Sequence, residues 1–445
     1  MRSRLSVDKI QLFSYFLLVS GIGSLLLSMP FAYKSGIPVP YIDALFTSMS
    51  ATCVTGLSTL PMDIYSVAGF ITIMCIIEFG GLGLVSFISL YIIVPQRKIS
   101  LVNRAVIRDF FIDDVETEPR RILRSILFFT LAFEGVCAFI MFFAFKGVGS
   151  EQPALDALFH SVSAFCNAGF STYNDSLWEF RDNYVILGTV MLLIVVGGIG
   201  FTVLTDVFRS LVQKNKRLAF HSKCVLIITT MLLLSGALIF FFFERTGSMK
   251  GLGIRNQLLL SLFQSVTPRT AGFSAIPQSM LTPISKLITM VLMFIGGSPG
   301  SIAGGVKTTT MMIIVVYAIR GNTDRRGLNV MGRNLDTPVI EKAFSIVGKS
   351  IIIVLVSLSA LLISENQTLL TSSITIFDLT FEVISAFGTV GLSLGVTEKL
   401  TVIGKVIIIS TMFIGRTGIF AMAIGFAQNE RERFFEYPSA NVLVG

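Results

Sequence analysis

The sequence predicts an all-α membrane protein of four tandem helix–pore loop–helix repeats set around one central axis. Three observations carry that prediction. The composition is too apolar for a soluble domain; eight apolar runs are each long enough to cross a bilayer; and four shorter pieces between them repeat one pattern that ends in glycine.

The chain has 445 residues, of which 53% are apolar and 14% charged, with a mean hydropathy of +0.78. A soluble domain carries about 25% charged residues. The net charge of +8 and pI of 9.3 raise the idea of nucleic acid. That partner is excluded by the distribution, because the basic residues fall in short segments between apolar runs rather than on one face. A lipid bilayer surface accounts for them. The five cysteines (Cys53, Cys75, Cys137, Cys166 and Cys224) are odd in number and scattered, so they give neither a disulfide framework nor a metal spacing and read as reduced packing residues. The first apolar run lacks a small-residue cleavage pattern and reads as a membrane span.

A bilayer core takes about 20 residues of helix. Eight runs meet that length, at 10–30, 67–94, 122–145, 184–212, 222–243, 284–319, 344–363 and 400–427. The intervening short pieces align as DALFTSMSATCVTGLST from Asp43, DALFHSVSAFCNAGFST from Asp156, SLFQSVTPRTAGFSA from Ser261 and DLTFEVISAFGTVGLS from Asp378. Their shared glycines, Gly56, Gly169, Gly272 and Gly391, recur at roughly quarter-chain intervals, which is the mark of an internal repeat. A second glycine landmark follows each: Gly80-Gly81, Gly197-Gly198, Gly296-Gly297 and Gly415 with Gly418. The repeats are therefore expected at 1–98, 99–216, 217–325 (its second span interrupted) and 326–427, followed by a cytoplasmic tail at 428–445. Lys and Arg number 21 in the segments on one side of these spans against eight on the other. The positive-inside rule then places both termini in the cytoplasm and opens the four loops outward.

The chemistry of such a loop lies in its backbone. For every carbonyl to face one line, residues alternate between right- and left-handed dihedrals, and glycine takes the left-handed setting without steric cost. In K+ channels a Thr-Val-Gly-Tyr-Gly loop replaces the ion's hydration shell with carbonyl oxygens. Thr389, Val390, Gly391 and Leu392 match its first four positions with Leu for Tyr. The other quarters of the ring are Val54, Thr55, Gly56 and Leu57; Asn167, Ala168, Gly169 and Phe170; and Thr270, Ala271, Gly272 and Phe273. Their side chains differ, so four-fold symmetry is broken and discrimination between K+ and Na+ can be weaker than in a symmetric channel.

On these four loops, one glycine per loop and an interrupted sixth span, the chain resembles the Trk/Ktr/HKT superfamily of K+ transporters over essentially its whole length. It looks like the membrane subunit of a bacterial Ktr uptake system. The resemblance implies channel-like K+ uptake across the bacterial cytoplasmic membrane, with Na+ as a candidate activator. Four glycines imply K+ preference, since some plant relatives that favour Na+ carry Ser at the first position, where this chain has Gly56. The resemblance also implies a homodimer seated on a cytosolic regulator-of-conductance (RCK) ring that binds ATP or ADP. No connection in this chain is long enough for a nucleotide domain of its own. The basic linkers and the tail from Asn429 to Gly445 are the docking candidates.

The sixth span holds Gly296, Gly297, Ser298, Pro299, Gly300, Ser301, Ile302, Ala303, Gly304 and Gly305 where a continuous helix is expected. Non-helical backbone at membrane depth is tolerated where it lines a cavity or is buried in protein. It is expected beneath the filter as a gate, with Arg416 of the eighth span either bonding its carbonyls or repelling cations. Asp43, Asp156 and Asp378 are expected to cap the short helices, with attraction of cations as the alternative. Arg269, inside the third loop, needs a partner; the expected one is Glu382, in support of the filter. Gly304, Gly305, Lys307 and Thr308 do not make a phosphate loop, because Val306 breaks the register, and Lys307 is expected to reach the cytoplasmic surface or a carboxylate. An alternating-access cation symporter is the competing reading; it is opposed by same-sense repeats and by the lack of a carboxylate chain, Glu78 and Glu134 being the acids well inside spans. An enzyme finds no catalytic constellation.

Overall fold

The computed structural model describes residues 4–34, 38–83, 119–213, 217–320, 327–371 and 374–426. Its helices come in a long–short–long order four times over. The first set is α1 (Arg4–Leu27), α2 (Tyr41–Thr52) and α3 (Val67–Gly81). The second is α4 (Pro119–Gly147), α5 (Pro153–Phe165), and α6 (Tyr184–Ile199) with α7 (Phe201–Val212). The third is α8 (Phe220–Glu244), α9 (Ile254–Val266), and α10 (Pro283–Phe294) with α11 (Thr308–Arg320). The fourth is α12 (Thr337–Ser364), the short α13 (Asn366–Thr371), α14 (Ile376–Gly388) and α15 (Val402–Phe426). A hairpin of β1 (Leu328–Val330) and β2 (Arg333–Leu335) joins the third set to the fourth.

Local chemistry sets the helix starts. Ser66 Oγ accepts from Gly69 N at 3.1 Å before α3, and Asn183 Oδ1 accepts from the amides of Val185 and Ile186 before α6. Thr375 and Asp378 form a reciprocal capping box on α14. Among the described residues, three helices are long and apolar enough to span a bilayer on their own, and at most 28% of each such window is buried inside the protein. Their outward Leu, Ile and Phe side chains, such as Phe128, Leu131 and Phe139, suit contact with lipid.

The interior is built on the short helices. One phenylalanine occupies the same repeat position in each, and Phe46, Phe159, Phe263 and Phe381 are all buried. The second glycine landmark explains how the long helices approach. A side-chain carbon built on Gly80, Gly197 or Gly415 would run into the carbonyl of Thr52, Phe165 or Phe387, the residue near the end of the short helix of the same set. Glycine lets α3, α6 and α15 lie directly on those helix ends.

Two expectations about spans change. The run 184–212 is not one straight helix: α6 and α7 meet at 102° across Gly200, whose φ of 100° closes off helical continuation. The run 67–94 is helical to Gly81, and its remainder beyond Gly83 lies outside the described residues, as do most of the basic segment 95–121 and the tail 428–445.

Candidate functional site

The four short helices end at a common centre. Each is followed by a residue held left-handed although it is not glycine: Val54 (φ 56°), Asn167 (56°), Thr270 (66°) and Thr389 (49°). Two residues on, the glycine is left-handed too, at 94° for Gly56, 73° for Gly169, 78° for Gly272 and 95° for Gly391. The residue between is not, so handedness alternates in every loop. A left-handed setting is costly for a β-branched side chain, and such settings persist only where the surroundings impose them, at about 1–3 kcal/mol each.

Around the glycines, those surroundings are the neighbouring loops. A side-chain carbon on Gly56 would lie 3.0 Å from Gly169 Cα, one on Gly169 would lie 3.0 Å from Gly272 Cα, and one on Gly391 would lie 3.0 Å from Gly56 Cα. One on Gly272 would meet the carbonyl of Val390. The chain of contacts runs first to second to third to fourth and back to first, a closed ring of backbone with no room for any Cβ. All four glycines line one open cavity of about 470 Å³, walled by the segments that follow them, including Tyr173, Gln278 and Glu398.

Hydroxyls behind the ring fix its polar groups. Ser50 Oγ and Ser385 Oγ accept from the amides of Gly56 and Gly391, both at 3.1 Å. Ser163 Oγ and Thr267 Oγ1 donate to the carbonyls of Phe170 and Phe273 at 2.7 and 2.5 Å. The buried hydroxyls of Thr270 and Thr389 have no hydrogen-bond partner among the described residues.

The structure adds a column of residues that the glycine pattern does not single out. The residue after the shared phenylalanine is polar in all four repeats: Thr47, His160, Gln264 and Glu382. All four are buried and face the segment beyond the glycine. Thr47 Oγ1 lies 3.1 Å from Tyr65 OH, His160 Nε2 lies 2.9 Å from Ser171 Oγ, and Gln264 Nε2 donates to Gln278 Oε1 at 2.9 Å. Glu382 accepts from Ser393 Oγ at 2.8 Å and from Thr397 Oγ1.

That column corrects the expected Arg269–Glu382 pair, which is not formed. Glu382 serves its own loop, as its three counterparts do. Arg269 is buried instead beside Ile194, Thr229 and Gly297, and its Nε has no hydrogen-bond partner among the described residues. The capping expectation holds for Asp378 alone. Asp43 accepts from Thr59 Oγ1 at 2.7 Å and pairs with Lys405, while Asp156 accepts from Ser150, Thr172 and Tyr173 at 2.5, 2.5 and 2.7 Å. Hydroxyls brought in by the folded outer segments reach these carboxylates where the helix-start amides do not. Burial, with the Asp156 contact, pushes the Tyr173 phenol well up from its ordinary value, so it stays a donor.

Residues 296–305 approach the ring at Thr389, two residues before Gly391, and none of them lines the cavity. Gly304 abuts Thr389, so closely that a side-chain carbon on it would meet the threonine hydroxyl. The base of the segment is stapled by Gly296 N to Val306 O at 2.9 Å and Thr308 N to Gly297 O at 3.1 Å. Its turn leans on the α6–α7 break: Ser298 N donates to Gly198 O at 3.0 Å, and Phe201 N to Gly300 O at 3.1 Å, beside Pro299. Ser301 Oγ donates to Ser298 O at 2.6 Å. Ile302 and Ala303 are buried, and Gly305 takes a φ of 65° as the chain turns back into α11. Of the two roles expected for Arg416, the geometry is that of the carbonyl clamp. The side chain is 5% exposed, donates through Nη1 to Ile302 O, and through Nη2 to Gly80 O and Gly81 O at 3.1 and 3.2 Å. Lys307, partly exposed, donates through Nζ to Ala303 O at 2.6 Å.

Residues 2–437 match the TrkH family, described as cation transport protein. The chain belongs to the TrkH family. Among TrkH-related sequences, it is 34% identical to a potassium/sodium uptake protein, NtpJ, of Enterococcus hirae, covering 100% of this chain and 98% of that one. It is likewise 34% identical to the Ktr system potassium uptake protein B of Bacillus subtilis, over 97% and 95% of the two chains. Its fold matches the crystal structure of the potassium transporter TrkH from Vibrio parahaemolyticus with a TM-score of 0.75, at 18% identity, covering 96% of this chain and 86% of that one. As a TrkH-family member the chain is a cation transporter of the membrane rather than an enzyme.

Proposed function

We propose that this chain conducts K+ through the ring of Gly56, Gly169, Gly272 and Gly391, with residues 296–305 and Arg416 as its gate. The four sets of helices then act as four helix–pore loop–helix repeats around one pore. The observation that carries the reading is the closed backbone ring at the floor of a single cavity lined by all four glycines.

In this reading a cation entering the cavity loses water to the loop carbonyls. The free hydroxyls of Thr270 and Thr389 add oxygen ligands on the inner side. The short helices aim their C-terminal ends at the ion, each worth about half a negative charge. Below the ring, the segment held by Arg416 blocks the path, and movement of Ile302 off the guanidinium opens it. The uptake names of the relatives support K+, with Na+ as a second cation. Their designation as one protein of a Ktr system supports a separate cytosolic subunit, an RCK ring carrying the nucleotide site, beneath a homodimer of this chain in the cytoplasmic membrane.

The test is uptake of labelled rubidium by liposomes containing the purified chain, with Na+ as competitor. Saturable rubidium uptake that outcompetes Na+ is expected. Strict stoichiometric coupling to a second ion, without voltage-driven flux, would replace the channel with a symporter.

A further inference from the structure

One buried cluster has no part in the ring or the gate. Glu78 on α3, Glu134 on α4 and Cys166 at the end of α5 each offer one ligand atom, and the three atoms lie within 4.8 Å of one another. Glu134 is 5% exposed, Cys166 is fully buried, and Cys166 Sγ donates to Glu78 Oε2 at 3.4 Å. Glu134 Oε1 has no hydrogen-bond partner among the described residues. Neither glutamate has an ion-pair partner there, and Arg416, close by along α3, is committed to the carbonyls of Gly80, Gly81 and Ile302.

Two adjacent carboxylates in a low-dielectric interior cannot both stay ionised without a cation or proton between them. A shared proton would satisfy the pair but leave Glu134 Oε1 unused. A metal ion uses all three. We propose that Glu78, Glu134 and Cys166 form a site for a borderline-soft divalent cation of the Zn2+ and Cd2+ class. One sulfur with two carboxylate oxygens is a zinc-type donor set with a fourth position open. The sulfur selects against Mg2+ and Ca2+, which take oxygen ligands. Binding releases the Cys166 proton, and any proton shared by the glutamates, to solvent. Two features of the surroundings suit a cation. Cys166 caps the negative end of the α5 dipole. Gly81 lies against the sulfur, where a side-chain carbon would come within 2.8 Å of Sγ. Glu78, half-buried, gives the route in.

The experiment is a Cd2+ titration of the full chain in lipid nanodiscs, followed by the ultraviolet thiolate-to-metal charge-transfer band. The expected result is one saturating site per chain whose band survives excess Mg2+ and Ca2+ and is erased by a chelator. Cys166→Ser should abolish the band, Glu134→Gln should weaken binding about tenfold or more, and Cys75→Ser, at an exposed cysteine, should change nothing. A wild-type protein without the band, as a proton-only pair would give, overturns the site. So does a band that persists in Cys166→Ser or disappears with Cys75→Ser. If Cys166→Ser does not fold, the wild-type band and its resistance to Mg2+ and Ca2+ decide the matter.

Discussion

The glycine ring and the segment 296–305 are both non-helical backbone at the centre of the molecule, yet they are held in different ways. Every ring glycine is pressed between two neighbouring loops, and a hydroxyl at the end of the preceding short helix bonds either the glycine amide, in the first and fourth loops, or the carbonyl of the next residue, in the second and third. The segment is stapled at its base, but its crest rests on single hydrogen bonds from Phe201, Lys307 and Arg416. Parts held by mutual exclusion are rigid, whereas parts held by a few donors can be released. That contrast separates selection from gating in the proposed function.

The largest effect should come from Gly391→Ser. The new side chain has to occupy a φ of 95° and the space of the Thr55 carbonyl, so K+ preference over Na+ should fall at least about tenfold, a change of about 1.4 kcal/mol, in paired rubidium and sodium uptake. If this variant and its counterparts at Gly56, Gly169 and Gly272 all keep wild-type preference, the ring is not the filter.

Arg416→Gln attacks the other region. Losing charged hydrogen bonds worth about 1.5–3 kcal/mol each should raise rubidium flux severalfold at unchanged preference, and deleting Gly296–Gly305 should do the same. Flux that stays level in a folded variant would mean that Arg416 does not hold the path shut.

A matched pair sharpens the contrast at smaller scale. Ser385→Ala removes the hydroxyl behind Gly391 and should lower stability by about 0.5–1.5 kcal/mol, read as a drop in thermal midpoint, with some loss of preference. Ser301→Ala removes the bond to Ser298 within the segment and should alter flux while leaving preference alone. Identical signatures from the two would erase the distinction between the regions. Least of all, Arg269→Gln should leave preference nearly unchanged, since Arg269 does not touch Glu382.

The ring was legible because its cause repeats: a left-handed position needs glycine, and four copies in register expose the need. The helical character of the short pieces, the interruption between α10 and α11 and the need of Arg416 for buried partners are legible for similar reasons, glycine density and a charge inside an apolar run. Partnerships were less so. Glu382 and Arg269 carry opposite charges, but which hydroxyl or cavity lies nearest depends on the packing of segments far apart in the chain. The polar column through Thr47, His160, Gln264 and Glu382 is hard to see in the sequence because its members share a position and not a residue type. The break at Gly200 was hidden by a run apolar enough to pass for one span, and Glu78 and Glu134 stood apart in sequence until α3 and α4 brought them together.

The break at Gly200 also has a mechanical meaning. The twelve residues of α7 form a rod about 18 Å long. It is hinged at one end, and its first amide grips the crest of the segment at Gly300. Leu211 and Val212 at the far end are well exposed. A sideways load applied there, around a pivot whose short arm is one hydrogen bond, is delivered to Gly300 itself. If residues 296–305 gate the pore as proposed, the second set of helices supplies a lever to a latch that belongs to the third.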